Sequence, residues 1–201
     1  AITTKREFQG REIRLVDTAG LRRKAKVTEK VESLSTSDSI RTIKFAQVVV
    51  LVLDSADMME KQDLTIARRV IDEGRVLVIA VNKWDLVKDT KKTLAKLTDR
   101  LQTSFPQARG IPIITMSAKT GRGLDGLLPA VLKIYELWNK RISTGALNRW
   151  FEGILDHHPP PLSSGRRIKL RYITQAKTRP PTFVVFASKP ENLPESYNRY
   201  L

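Results

Sequence analysis

Two runs of consecutive apolar residues, Val48 to Leu53 and Val76 to Val81, constrain this chain more than any other feature. Neither is broken by a polar residue, so neither alternates as a strand with one wet face would. Strands of this kind are covered on both faces. Two shorter apolar stretches, Ile13 to Val16 and Ile111 to Thr115, also stand out, though each includes residues that are not apolar. Between them lie residues with helical spacing: Leu64, Ala67, Val70 and Ile71, then Leu94, Leu97 and Leu101, then Leu127, Leu128, Val131, Leu132 and Tyr135. Strands alternating with helices predict a parallel sheet with right-handed crossovers. The opening differs, because Gln9-Gly10 joins Ile2 to Phe8 directly to Arg11 to Asp17. That is a hairpin, and it predicts one antiparallel edge strand.

Ligands of such open sheets gather at the carboxyl ends of the strands. Three strands end in polar clusters: Asp17-Thr18-Ala19-Gly20, Asn82-Lys83-Trp84-Asp85 and Ser117-Ala118-Lys119. All three are expected around one site. Guanine presents a ring N–H and an exocyclic amine beside a keto oxygen, and a carboxylate accepts both hydrogens bidentately. Asp85 suits that role. Asn82 would bond the base or tie neighbouring loops together, the Lys83 stem would lie along the purine face, and the Ala118 N–H would donate to the keto oxygen. Adenine, with its donor and acceptor edge reversed, would leave Asp85 without a partner. The competing reading of Asn82 to Asp85 is a polar turn that caps the next helix, and Asp17 to Gly20 also suits an ordinary turn.

Composition narrows the partners. Thirty-six basic against 21 acidic residues give a net charge of +15, which points to a polyanion or to a surface tuned for solubility. There is no cysteine, so disulfides and thiolate metal sites are excluded. His157 and His158 are adjacent and point different ways on a helix, which suits a polar helix end better than a metal site. No apolar run is long enough to cross a bilayer and the first residues show no signal-peptide pattern, so a cytoplasmic protein without a membrane partner is expected.

In residues and order, the clusters resemble a translation-factor-class GTPase, with Asp17 to Gly20 as switch II and Asn82 to Asp85 and Ser117 to Lys119 as the guanine motifs. The runs DTAGLRRK, KFAQVVVLVLD, EKQDLTIARRV and VIAVNKWDLV resemble the second G domain of the Der (EngA) double Era-like GTPases. With the basic segment behind them, the resemblance covers essentially the whole chain. It implies an α/β Ras-like P-loop fold over residues 1–142, followed by a small α+β KH-like domain over residues 143–201. It further implies a GTP/GDP-binding and GTP-hydrolysing switch in large-subunit ribosome assembly, with ribosomal RNA and a first G domain in cis as partners. Asp17 would hold Mg2+ through a water, and the Gly20 N–H would bond the gamma phosphate. Leu21 stands where Ras-like enzymes usually place a water-orienting glutamine, and relatives of this kind are helped by K+. Leu21 would also pack under its loop.

No Gly-x-x-x-x-Gly-Lys-Ser/Thr occurs in the 201 residues; the nearest glycine spacing, Gly121 to Gly126, is followed by leucine. The phosphate-binding loop, switch I and the first strand are therefore expected upstream of Ala1, and the chain alone is expected not to hydrolyse nucleotide. A non-catalytic RNA-binding module and an ATPase of similar fold are the competing readings.

Beyond Ile142 comes an amphipathic segment (Leu147, Trp150, Phe151, Ile154, Leu155), a Pro159-Pro160-Pro161 break, strands at Arg167 to Ile173 and Thr182 to Ala187, and a helix starting near Pro194. A third strand is expected past Leu201. Period-two alternation puts Ile168, Leu170 and Tyr172 on one face and Arg167, Lys169 and Arg171 on the other. Arg166 to Arg179 holds six basic residues and no acid. The segment lacks the Gly-x-x-Gly loop of typical KH domains. Lys169, Arg171, Lys177 and Arg179 are the candidate RNA phosphate contacts, set against a solubilising strand face. Arg22, Arg23 and Lys24 would meet RNA or the KH-like domain.

Overall fold

The computed structural model describes residues 2–18, 41–106, 108–163 and 165–201, and the chain divides into two compact units, residues 1–135 and 136–201. In the first unit, β1 (Ile2–Phe8) and β2 (Arg11–Asp17) pair antiparallel, with Phe8 opposite Arg11. The two turn residues, Gln9 and Gly10, both have positive φ (50° and 72°). A two-residue loop of that hand follows the right-handed strand twist, which is why a glycine stands there. The hairpin is a separate two-stranded sheet.

The second sheet has the order β3-β4-β5, all parallel, formed by β3 (Val48–Asp54), β4 (Val76–Asn82) and β5 (Ile113–Thr115). Helices α1 (Lys61–Asp72), α2 (Thr90–Ser104) and α3 (Leu127–Trp138) lie between and after these strands, where the helical spacing predicts them. Asp89 caps α2 by accepting the Lys92 N–H at 3.0 Å. The core gathers Leu53, Ala67, Val70, Leu77, Ile79, Val81, Leu97, Leu101 and Phe105.

Burial on both faces holds for β4, whose residues Val76 to Val81 are all buried. It does not hold for β3, where Val52 is 53% exposed. The cause is position: β4 has a strand on each side, whereas β3 pairs with β4 alone among the described residues. An apolar run therefore reports apolar character without saying which strand is central.

In the second unit, α4 (Thr144–His157) begins at Ser143, whose Oγ accepts the Ala146 N–H. It packs Leu147 and Phe151 against Ile173. Its Trp150 is half exposed and stands off this face. A minimal hairpin, β6 (Leu162–Ser163) and β7 (Arg166–Arg167), precedes the longer antiparallel pair of β8 (Leu170–Lys177) and β9 (Thr182–Ala187). Gln175 is buried and fully used, accepting the Ile142 N–H at 2.7 Å and donating to Lys140 O at 3.2 Å. The final helix, α5 (Glu195–Tyr200), carries Tyr197, whose hydroxyl donates to His158 O at 2.7 Å. Burial pushes the Tyr197 phenol above its usual range, and Tyr200 adds repulsion. His157 Nδ1 meets Gly153 O at the end of α4, and the His158 ring stacks on Tyr197.

The predicted period-two alternation breaks inside β8. Register shifts at Leu170/Tyr172 and at Gln175/Lys177 set two β8 residues against one β9 residue each time. Ile173 and Gln175 turn inward, and Tyr172, expected beside Ile168 and Leu170, turns out to solvent. A bulge is invisible to a strict period because one inserted residue inverts every later side chain. Among the described residues no helix is long and apolar enough to cross a membrane.

Replacing Ile79 by alanine should cost about 2–5 kcal/mol of stability, since its side chain is fully enclosed. Val52→Ala should cost less than about 1 kcal/mol. Paired urea titrations check this, and equal losses would contradict the assigned centre and edge of the sheet.

Candidate functional site

The carboxyl edge of the parallel sheet is stitched from three loops. Strand register sets Asp54 beside Asn82 and Val81 beside Thr115. Just beyond, Met116 N–H donates to Val81 O (2.8 Å), Trp84 N–H to Met116 O (3.1 Å) and Ser55 N–H to Asn82 O (3.0 Å). The Asn82 side chain closes the arrangement. Its Oδ1 accepts the Lys83 N–H at 2.8 Å and the Ala118 N–H at 2.9 Å, so one atom holds two loops 36 residues apart.

Of the two readings of Asn82, the structure displays the loop tie. The same bond engages Ala118 N–H, the donor expected to meet a keto oxygen, with Asn82 instead. Asp85 lies in a single turn of 3-10 helix, Trp84–Leu86, and is exposed at the rim. The helix-capping reading of this tetrapeptide fails, because Asp89 caps α2.

Lys83 takes the left-handed conformation, with φ 60° and ψ 32°. Such a residue persists only where its surroundings hold it. Here Ser55 Oγ donates to Lys83 O at 3.0 Å, and Asp54 Oδ2 meets Lys83 Nζ at 2.6 Å. Asp54 also accepts the Ala56 N–H at 3.1 Å, which fixes its carboxylate. Neither Asp54 nor Ser55 was among the residues that sequence reasoning selected. The signal was available, since Asp54 ends the run Val48 to Leu53 as Asn82 ends the next.

The third loop is wound on Ser117, which is buried. Its N–H donates to Arg122 O, its carbonyl accepts the Gly121 N–H, and its Oγ accepts the Thr120 N–H. The loop leaves through Gly123, at φ 76°, where a Cβ would stand 2.3 Å from Thr115 O. Only glycine fits there. Ala118 and Lys119 are exposed on the outer side of this loop.

The structure thus brings Asn82, Lys83, Asp85, Ser117, Ala118 and Lys119 to one edge. Asp17 and Thr18 end β2, in the separate hairpin, so sheet hydrogen bonds do not join them to that edge. Ala19, Gly20 and Leu21, with Arg22, Arg23 and Lys24, lie outside the described residues. In the second unit Lys169, Arg171, Lys177 and Arg179 are all exposed.

The family model for the elongation factor Tu GTP binding domain matches residues 2–136, and that for the KH-domain-like C-terminal part of EngA bacterial GTPase enzymes matches residues 141–201. The chain is 55% identical over 201 residues to GTPase Der of Ruegeria sp. (strain TM1040) and 53% to GTPase Der of Mesorhizobium japonicum. This chain belongs to the Der (EngA) GTPase family. It spans about two fifths of the length of those relatives: all of this chain aligns, against 41% and 42% of theirs.

Solved structures confirm the fold at low identity. A probable GTP-binding protein, engB, gives a TM-score of 0.53 at 17% identity, covering 67% of this chain and 84% of its own. Era in complex with MgGDPNP and nucleotides 1506-1542 of 16S ribosomal RNA gives 0.55 at 20% identity, covering 65% of this chain and 43% of its own. The Ras-like α/β architecture with a KH-like unit behind it therefore stands as the sequence predicts.

Asn82→Ala should lower stability by about 1–2 kcal/mol, because two backbone N–H groups lose their acceptor. Amide exchange at Ala118 should accelerate with it. Wild-type exchange rates at Ala118 in this variant would show that the link across 36 residues is not made.

Proposed function

We propose that the rim formed by Asn82 to Asp85 and Ser117 to Lys119 is the guanine-reading half of a GTP-binding and GTP-hydrolysing switch. The observation that carries this reading is the Asn82 tie. It sets the loop bearing the exposed Asp85 carboxylate beside the loop bearing Ala118 and Lys119. Asp85 accepts the ring N–H and exocyclic amine of guanine. The Lys83 stem, anchored at both its carbonyl and its ammonium, lies flat against the purine. The Ala118 N–H swings or bifurcates from Asn82 to the keto oxygen.

The phosphate side requires the loop that these 201 residues do not contain. Both β2 and β3 keep an edge without a strand partner among the described residues, and Leu15, Val16 and Val52 are exposed there or close by. A strand inserted between them, leading into a phosphate-binding loop, brings Asp17 to the same rim. Among the described residues no group of three or more acidic or histidine side chains is placed to cage a metal. One exposed carboxylate at a strand end nevertheless suits Mg2+, which keeps most of its water and takes phosphate oxygens. Asp17 would hold it through a water, and the ion would neutralise phosphate charge. The Gly20 N–H would contact the gamma phosphate, Leu21 would offer the attacking water no side-chain partner, and the site would be helped by K+.

The intact protein then acts in large ribosomal subunit assembly in the cytoplasm, with ribosomal RNA and a preceding G domain as partners. A net charge of +15 and the match of residues 141–201 to the EngA KH-like domain support that setting. The phosphate-binding signature missing from these residues favours a second reading for the stretch by itself, a non-catalytic RNA-binding module.

In the intact protein, Asp85→Asn should weaken GTP binding by roughly 10- to 100-fold, the loss of a charge-assisted bidentate contact, and improve xanthosine triphosphate binding. Competition titrations with GTP, ATP and xanthosine triphosphate measure both. Unchanged GTP affinity would refute the placement of Asp85.

A further inference from the structure

The open face of the β8–β9 sheet carries an aromatic pair that the nucleotide-binding reading does not use. Tyr172 and Phe186 are direct cross-strand partners, their rings stacked at 4.2 Å with 9° between planes. Both remain about two fifths exposed, as does Val184, the next residue along the same face. The opposite face is closed by Leu147 and Phe151 of α4, which pack on Ile173. The exposed rings are therefore not part of this unit's own core.

The bulge at the start of β8 makes this surface. With Leu170 opposite Ala187 and Tyr172 opposite Phe186, Arg171 is the inserted residue. Leu170 and Ile173 both turn toward the core, which leaves Arg171 and Tyr172, both exposed, on the open side beside Phe186. Without the bulge Tyr172 would face α4. Lys169 lies just before this pair, its N–H bonded to Ser188 Oγ, and Lys177 and Arg179 follow at the far end, where the second bulge sets Lys177 opposite Thr182. With two residues bulged out, Lys169 to Lys177 covers the six steps from Ser188 to Thr182 on β9, about 20 Å along the strand. Charge around the pair is of one sign: residues 157–190 include seven Lys or Arg and no Asp or Glu.

We infer that this face binds single-stranded RNA by stacking unpaired bases on Tyr172 and Phe186, while Lys169 and Arg171 at one end and Lys177 and Arg179 at the other take the phosphates. An aromatic step between basic groups at both ends matches the two halves of a nucleotide, a flat π surface and an anion. A duplex cannot use it, since its bases are already stacked. The inference rests on the RNA-contact reading of the basic residues but adds a different contact, to bases rather than phosphates. It is independent of how the G-domain rim reads guanine.

The test uses the 201-residue chain and an eight-nucleotide single-stranded RNA carrying 2-aminopurine, with a duplex RNA of the same length alongside. Wild type should bind the single strand more tightly than the duplex and quench the 2-aminopurine. Tyr172→Ala and Phe186→Ala should each weaken single-strand binding by roughly 5- to 100-fold and abolish the quench, with no change in salt dependence. Tyr172→Phe should bind as wild type. Lys169→Glu together with Arg171→Glu should weaken binding and flatten its salt dependence while any remaining complex still quenches. Thermal melts of every variant check folding; both rings are exposed, so melting should change little.

Several results would overturn the inference: no single-strand binding by wild type, equal affinity for the duplex, or alanine variants that bind and quench as wild type does. If sedimentation instead showed wild type self-associating through this face and the alanine variants monomeric, with RNA binding unaltered, the surface would be a protein contact. If only the charge-reversal variant lost binding, phosphate contact would survive and base stacking would not.

Discussion

The amide oxygen of Asn82 has two N–H donors, Lys83 on its own loop and Ala118 on the next, and the geometry of the rim depends on that double acceptance. Both partners are donors, so the amide must present oxygen to them, and its NH2 points the other way with two hydrogens still to give. A carboxylate could accept the same pair but would carry a charge beside Asp54 and Asp85. The neutral amide ties the loops without placing a further negative charge there. The tie is effective because its base is rigid: β4 is buried along Val76 to Val81, so Asn82 emerges from the least deformable strand of the sheet.

Lys83 shows how the same rim stores strain. Its left-handed backbone is unfavourable for a side chain with a Cβ, and Ser55 and Asp54 clamp it at the carbonyl and at the ammonium. The Asp54–Lys83 pair is half exposed and adds little to global stability. Its effect is on conformation: holding Nζ while the carbonyl is bonded reduces the freedom of the four-carbon stem between them.

Much of this was legible in the sequence, and the failures share a cause. Apolar runs and helical spacing located β3, β4, α1 and α2 because burial periodicity is a local property of the chain. The hairpin at Gln9-Gly10 was legible because positive φ at both positions favours glycine. Exposure of Val52 was not legible, since it depends on which strand is neighbour to which. Asp54 looked like an ordinary strand end, and its role emerges only when parallel pairing sets it beside Asn82. Ser117 was selected with its motif as a nucleotide contact, and its Oγ accepts the Thr120 N–H inside its own loop, a role that only the folded loop displays. The β8 bulges were hidden for the opposite reason. Arg167 to Ile173 reads as a clean alternation, and the inserted Arg171 is recognisable only against the partner strand.

That hidden bulge bears on how a KH-like unit without Gly-x-x-Gly can hold RNA at all. The glycine loop of typical members clamps the backbone by letting it approach closely, a contact that side chains hinder. Here that route is closed, and the remaining ways to grip a polynucleotide are charge and π surface. Charge alone binds duplex and single strand alike and weakens steeply with salt. A stacked aromatic pair adds a term that only unpaired bases can satisfy, and it tolerates any base because every base has a flat face. A face of the kind inferred would let the unit discriminate by the structure of the RNA rather than by its sequence. The single residue that makes that face possible is the one inserted before Tyr172.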